Sequence, residues 1–300
     1  MLRILRFFFS FSCTPVTKTI ILFLCICFSV LVCEAQDTIK APFNQEVWTR
    51  EYAPFRIAGD LYYVGSYDLG CYLITTPEGH ILINTGTVGS MPMIRAHVEQ
   101  LGFRFEDIRI LLATHAHFDH VGAMAAVKAA TGAQAMIEAH DAPLVADGGE
   151  SDFIFGGRGK LFPPFKADRL LHDHDTVRLG NMEILVLHHP GHTPGACSYL
   201  TTVHDDHRSY RVLIANMPSV LDETDLAGMP AYPNVGQDYA YTLDTMRHLQ
   251  FDIWLASHAS QFGLQQKHKG RRYHPAAFID PKGYAKALAA LDERYRKKLK

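Results

Sequence analysis

Thr114-His115-Ala116-His117-Phe118-Asp119-His120 gathers three imidazoles and a carboxylate into six consecutive positions, His115 to His120. Upstream, Ile108-Arg109-Ile110-Leu111-Leu112-Ala113 is a short apolar run with the length and composition of a buried strand. Downstream, Val121 to Ala130 is Ala-rich and reads as a helix. The cluster therefore falls on a strand-to-helix loop, where rigid elements can hold side chains in convergent positions. Imidazole nitrogen and carboxylate oxygen are the donors zinc prefers. The density of the run, with an Asp set among the His, separates it from a merely His-rich surface loop.

Working outward, Leu61-Tyr62-Tyr63-Val64-Gly65, Cys71-Tyr72-Leu73-Ile74-Thr75 and His80-Ile81-Leu82-Ile83-Asn84 read as strands, with a hairpin turn at Pro77-Glu78-Gly79. Met91, Ile94, Val98 and Leu101 recur at helical spacing, and Gly102 follows as a C-cap. Beyond the cluster come a strand at 134–137 and a helix at 140–146. A long loop rich in Gly, Phe and Pro follows at 147–166, with Phe153, Phe155, Phe162 and Phe165 along it. Such aromatic tips can cover a cleft or pin the loop to the body. Strands at 170–171, 176–179 and 182–187 lead to His188-His189-Pro190-Gly191-His192-Thr193-Pro194-Gly195. Strands at 198–202 and 210–215, a helix at 237–249, a strand at 251–255 ending in Ala256-Ser257-His258, and a helix at 284–299 complete the chain. Two mixed sheets backed by helices make an α/β sandwich in four layers. The cluster, His192 and His258 all follow strand ends, where such folds collect their sites.

Residues 1–35 read as a secretory signal. Arg3, Arg6 and Lys18 precede an apolar run from Thr19 to Val32, and Cys33-Glu34-Ala35 is an acceptable cleavage site that leaves 36–300 as one mature domain. The run is short for a membrane span, so a periplasmic protein with no stable span after processing is expected. Four of the six Cys lie in the leader. Cys71 and Cys197 remain, in apolar contexts that favour free buried thiols over a disulfide, and they are too few for a Cys-based zinc framework. Lys and Arg number 29 against 31 Asp and Glu, and the leader takes three basic residues and one acidic residue, leaving 26 against 30, or −4. That balance argues against a nucleic-acid partner. The basic tail from Arg294 to Lys300 reads as a helix C-terminus favoured by the dipole. No extension or exposed apolar helix points to an interface, so a monomer is expected.

His115-x-His117-x-Asp119-His120, the later Pro190-Gly191-His192-Thr193 and Ser257-His258 together resemble the metallo-β-lactamase superfamily, from about Tyr52 to the C-terminus. Pro54-Phe55-Arg56-Ile57-Ala58-Gly59, Ile81-Leu82-Ile83-Asn84-Thr85-Gly86, Leu213-Ile214-Ala215-Asn216-Met217-Pro218-Ser219 and Ser257-His258-Ala259-Ser260-Gln261 are similar to subclass B3, particularly its GOB-like group. The resemblance implies two zinc ions, one held by His115, His117 and His192, the other by Asp119, His120 and His258. It implies hydrolysis of the β-lactam amide bond (penicillins, cephalosporins, carbapenems) by a hydroxide bridging the ions, and hence antibiotic resistance. Asp119 is the expected catalytic carboxylate, with Ser219 and Phe155 on the substrate. The alternative on the same scaffold is a glyoxalase-II-type thioesterase or a lactonase, which usually adds a bridging Asp that the stretch Ile214-Ala215-Asn216-Met217 lacks. The chain departs from the pattern at three points. His115 stands where the GOB-like group is associated with Gln, Met217 stands where B1 has Cys and B3 commonly Ser, and Asn84 stands where a strand-end Asp is usual. His188 and His189 read as packing or hydrogen-bonding residues behind the site, and His140 as a surface or capping residue.

Overall fold

The apolar run before the His cluster forms a strand because its side chains alternate between two buried layers. In this computed structural model, which describes residue 39, residues 41–270 and residues 272–300, the run is β5 (Ile108–Leu112). Its Ile110 and Leu112 enter one apolar cluster and its Ile108 and Leu111 the other. The preceding strand β4 (Gly79–Ile83) divides in the same way, with Ile81 and Ile83 on one face and Leu82 on the other. Burying side chains of this size contributes about 1.5–3 kcal/mol each. The expected leader at 1–35 lies outside the described residues.

Seven strands make the first sheet. In order across it lie β1 (Phe55–Ala58), β2 (Leu61–Tyr63), β3 (Tyr72–Thr76), β4, β5, β6 (Gln134–Glu138) and β7 (Arg169–Leu171). The pairing is antiparallel from β1 to β4 and parallel from β4 to β7. The second sheet runs β12 (Ile253–Ala256), β11 (Ser209–Ala215), β10 (Cys197–His204), β9 (Met182–His188), β8 (Thr176–Leu179), antiparallel except between β11 and β12. One apolar cluster joins the facing sides of the two sheets and includes Leu243, Met246 and Leu288 of the helices behind the second. The other packs the outer side of the first sheet against α2 (Met91–Gln100), α3 (Met124–Thr131) and α4 (Ala142–Asp147), which follow α1 (Glu46–Thr49) in the chain. The α/β sandwich with two mixed sheets is thus the observed architecture. Behind the second sheet lie α5 (Val235–Met246) and α8 (Pro281–Lys298), with the single turns α6 (Ala259–Phe262) and α7 (Leu264–Lys267) between them in the chain.

Several boundaries move for local reasons. The Ala-rich helix starts at Met124 rather than Val121, because the Gly122 N–H bonds across to the Gly86 carbonyl instead of back along its own turn. Strand β1 and the turns α1, α6 and α7 were not foreseen; each has four residues, too few to show a period. The 147–166 segment is a loop, pinned by buried Phe162 and Phe165, while Phe153 packs on Tyr232. Cys71 and Cys197 are free and buried. Among the described residues no helix is long and apolar enough to cross a membrane.

Candidate metal centre

The loop after β5 is held from beneath. Asn84, just past β4, adopts a left-handed backbone (φ 62°), which Asn tolerates better than most residues. Its Oδ1 accepts from Thr114 N and Oγ1 at 2.9 and 3.2 Å, and its Nδ2 donates to the Gly70 carbonyl at 3.3 Å. An amide makes that third bond where a carboxylate could not, and it buries no charge in a fully covered position.

A second tie comes from Asp141, at the start of α4. Its carboxylate accepts from Ala116 N at 2.8 Å, Thr193 Oγ1 at 2.8 Å and Gly195 N at 2.7 Å. One buried side chain therefore stitches the 114–120 loop to the 189–195 loop that follows β9. Gly195 is required for this approach, since a Cβ there would lie 2.4 Å from the Asp141 nitrogen and 2.7 Å from its carboxyl carbon. Burial outweighs the three hydrogen bonds and pushes the Asp141 carboxyl up to about 6. In the same loop Gly191 (φ 128°) passes 2.8 Å, measured from an ideal Cβ, from the Tyr239 ring.

These loops bring His115, His117 and His192 together, with ring centroids 4.7–4.8 Å apart and ligand atoms within 4.8 Å of one another. His192 Nδ1 lies 2.8 Å from the Ser219 carbonyl and donates to it, which leaves Nε2 for the centre. His117 Nε2 faces Asp152 Oδ2 at 3.2 Å, which leaves Nδ1. Beside this group, Asp119 Oδ2 lies 3.2 Å from His120 Nε2 and 3.4 Å from His258 Nε2. His258, at the end of β12, is held through Nδ1 by Asp68 Oδ2 at 3.0 Å, while Asp68 Oδ1 accepts from Ser260 N at 2.9 Å. Donor atoms 2.0–2.2 Å from a tetrahedral zinc sit roughly 3.3–3.6 Å from each other, and the spacings from Asp119 to His120 and to His258 are close to that, while His115 also falls within 4.8 Å of Asp119 and His120. Buried nitrogens of His115 (Nε2) and His120 (Nδ1 and Nε2) have no hydrogen-bond partner. Orphaned imidazole nitrogens around a carboxylate fit a metal and little else.

The electrostatics agree with that chemistry. Burial, with the neighbouring imidazoles, holds His115 well below its ordinary value, and burial pulls His192 down to about 3 and lowers His120. Neutral imidazole is the form that binds metal. Burial also lowers His117 and His258, but carboxylates outweigh it: Asp152 raises His117, and Asp119 with Asp68 raises His258 to about 9. The same partnerships overcome burial at Asp119 and hold it well below the usual carboxylate range. His189, buried against Ser198 Oγ at 2.7 Å, is pulled down to about 3 by burial.

The centre opens into a cleft of about 570 Å³ lined by Phe43, Trp48, Phe118 and Phe155 on one side. Asn216, Met217, Ser219, Ser260, Gln261 and Arg294 also line it. Phe155 packs edge-on to His117 at 5.3 Å. The expected substrate residues Ser219 and Phe155 thus both face the cleft. Asn216 entered the sequence reading only within the stretch 213–219 and Arg294 only in the basic tail, and that reading did not single out Phe43, Trp48, Asp141 or Asp152. Of these, Trp48 alone carried a signal, as a large aromatic ahead of the first strand.

The profile of the metallo-beta-lactamase superfamily matches residues 71–205. A beta-lactamase from Chitinophaga pinensis is 58% identical with a TM-score of 0.86, covering 87% of this chain and 99% of that one. The class B3 di-zinc metallo-beta-lactamase LRA-12 from an Alaskan soil metagenome is 51% identical with a TM-score of 0.86, covering 88% and 100%. The metallo-beta-lactamase GOB-18 from Elizabethkingia meningoseptica is 48% identical with a TM-score of 0.85, covering 87% and 98%. With such matches over the fold and the site, the chain belongs to the metallo-beta-lactamase superfamily of metal-binding hydrolases. Within it, the chain is a GOB-like member of subclass B3. The match to the curated relatives is partial, spanning 37% of the length of a probable metallo-hydrolase from Burkholderia pseudomallei at 36% identity.

Proposed function

We propose that the chain is an exported two-zinc β-lactamase that opens penicillins, cephalosporins and carbapenems at the amide bond. The observation that supports this best is the His115/His117/His192 group lying beside Asp119, which contacts both His120 and His258, in a fold shared with B3 enzymes at 48–58% identity. Bound zinc would supply water activated near neutral pH and positive charge for the developing oxyanion and the leaving nitrogen. The net reaction adds water across the C–N bond: the carbonyl becomes a carboxylate, one proton of the water goes to the ring nitrogen and the other is released to solvent.

The chain's own residues position that reaction. Asp119, held ionised by His120 and His258, is the carboxylate able to orient the attacking water. Asp68, Asp152 and the Ser219 carbonyl fix which nitrogen His258, His117 and His192 present to the centre. Ser219 and Arg294, whose guanidinium also pairs with Asp222 at 2.8 Å, line the cleft and would bind the substrate carboxylate. Phe43, Trp48 and Phe155 form the apolar wall for the ring substituents and keep water from that side. In the cell the leader at 1–35 is removed, and residues 36–300 act in the periplasm as a monomer and confer β-lactam resistance.

The test sets a carbapenem and a cephalosporin against a thioester and a lactone. Turnover of the β-lactams at kcat/KM far above the other two is expected. Thioester or lactone turnover without β-lactam turnover would overturn the reading in favour of another hydrolase on the same scaffold.

A further inference from the structure

Glu138 closes β6 with its carboxylate almost fully buried. Its Oε2 accepts from His140 N at 2.7 Å, and both oxygens lie 3.1 Å from His140 Nδ1. From the end of β9 in the other sheet, His188 brings Nε2 to 4.0 Å from Oε1. The two imidazole rings lie nearly parallel, 5.2 Å apart. None of the three residues lines the cleft. The sequence reading put His140 at the surface and His188 behind the site, and the fold brings both onto one buried carboxylate.

We propose that Glu138, His140 and His188 bind a further divalent cation of the zinc class, separate from the centre in the cleft. Three observations carry the proposal. First, the buried Glu138 carboxylate faces the imidazoles of His140 and His188 at 3.1 and 4.0 Å. A buried carboxylate left without a counter-charge is costly, and a divalent ion supplies one while leaving the imidazoles neutral. Second, two imidazoles and a carboxylate are a donor set zinc uses when it keeps a position for water. The three ligand atoms already lie within 4.8 Å of one another. The 3.1 and 4.0 Å spacings to Glu138 bracket the roughly 3.3–3.6 Å edge of a tetrahedral zinc site, and closure needs the two stacked rings to tilt toward each other. Third, the site has an entry path, because the His140 side chain is 60% exposed while Glu138 is covered.

Binding has a structural consequence. His188 Nε2 contacts the Pro194 carbonyl at 2.9 Å and must release it to face a metal. Pro194 lies two residues past His192 and next to Gly195, whose N–H is held by Asp141, the neighbour of His140. Occupancy therefore registers on the loop that carries His192, and the cation clamps β6 to β9 behind it.

Metal content tests this without any substrate, so its outcome is independent of the β-lactam reading. The purified protein is brought to equilibrium with graded free zinc, and bound metal is counted by plasma mass spectrometry. The expected result is two tightly held ions and a weaker third, with a rise in Tm as the third binds. His140→Ala, at an exposed position that leaves the core intact, and Glu138→Gln should each bind two ions, lose the added rise in Tm and keep hydrolytic activity. Saturation of the unaltered protein at two ions would reduce the cluster to a carboxylate–imidazole pair and overturn the proposal. So would a third ion that persists in both variants.

Discussion

Replacing Asp141 separates two opposing effects that meet at one side chain. Asp141→Ala leaves the N–H groups of Ala116 and Gly195 buried with no acceptor, while the Thr193 hydroxyl can rotate away. Each orphaned donor costs about 1–3 kcal/mol, or about 2–6 kcal/mol together. Against this stands the burial of the charge. The folded carboxyl titrates at about 6 against the ordinary 3.8, so its favourable contribution is complete below pH 3.8 and is lost as pH rises through 6. At 1.36 kcal/mol per unit, the ionised group costs about 3 kcal/mol at pH 7 relative to a neutral one. Asp141→Asn removes that charge, keeps one acceptor oxygen and gives up about one hydrogen bond. Urea denaturation of the metal-free protein at pH 7 should place the Asn variant within about 1 kcal/mol of the parent. The Ala variant should lie about 1–3 kcal/mol below the Asn variant, and it should bind zinc more weakly because the loops bearing His117 and His192 are no longer tied. Equal stability of the two variants would show that Asp141 does not hold these loops.

Other perturbations follow from the same geometry. Asp152→Asn keeps the Oδ1 acceptor that holds the N–H groups of Ile154 and Phe155 but removes the anionic Oδ2 from His117. It should weaken one zinc site roughly 10–100-fold in a chelator competition, and an unchanged affinity would refute the role. His258→Ala should leave one tightly bound ion in the cleft; two there would show that the ligand groups are wrongly divided. Gly191→Ala forces a Cβ to within 2.8 Å of the Tyr239 ring at a φ of 128°. A loss of roughly 2–4 kcal/mol in urea denaturation is expected, and a neutral effect would contradict the packing. In the metal-free protein His258 is raised from 6.5 to about 9, so its stabilising contribution is complete below pH 6.5 and disappears as pH rises through 9. Denaturation between pH 6.5 and 9 should show this decline, of up to about 3 kcal/mol, and zinc-loaded protein should not.

The strands and the six residues that gather around the centre were legible because they carry local signals. The run 108–113 had strand length and composition, and the His-rich motif sat at its end. His192 and His258 likewise followed strand ends, and the order of elements implied two mixed sheets. The carboxylates that hold those residues were much less legible. Asp141 and Asp152 are single acids in polar segments, and their partners lie 25 to 54 positions away or across a loop. No spacing rule marks such a contact before the chain is folded. Asp68 was named among possible neighbours of the cleft, and its bond to His258 spans 190 positions. The basic tail shows the same limit. It was read for its helix dipole, yet Lys298 Nζ donates to the carbonyls of Leu221, Asp222 and Thr224, and Arg294 reaches the cleft. Short elements such as α1 were missed because four residues carry no period, and with α1 went the aromatic wall at Trp48.

Whether the two ligand groups work as one centre is read most directly by titrating metal-stripped protein with zinc while following carbapenem hydrolysis. Turnover should be absent without metal, return in step with the first two equivalents, and stay level as any further ion binds. Full turnover in the metal-stripped protein, or none after two equivalents are bound, would contradict a two-zinc β-lactamase.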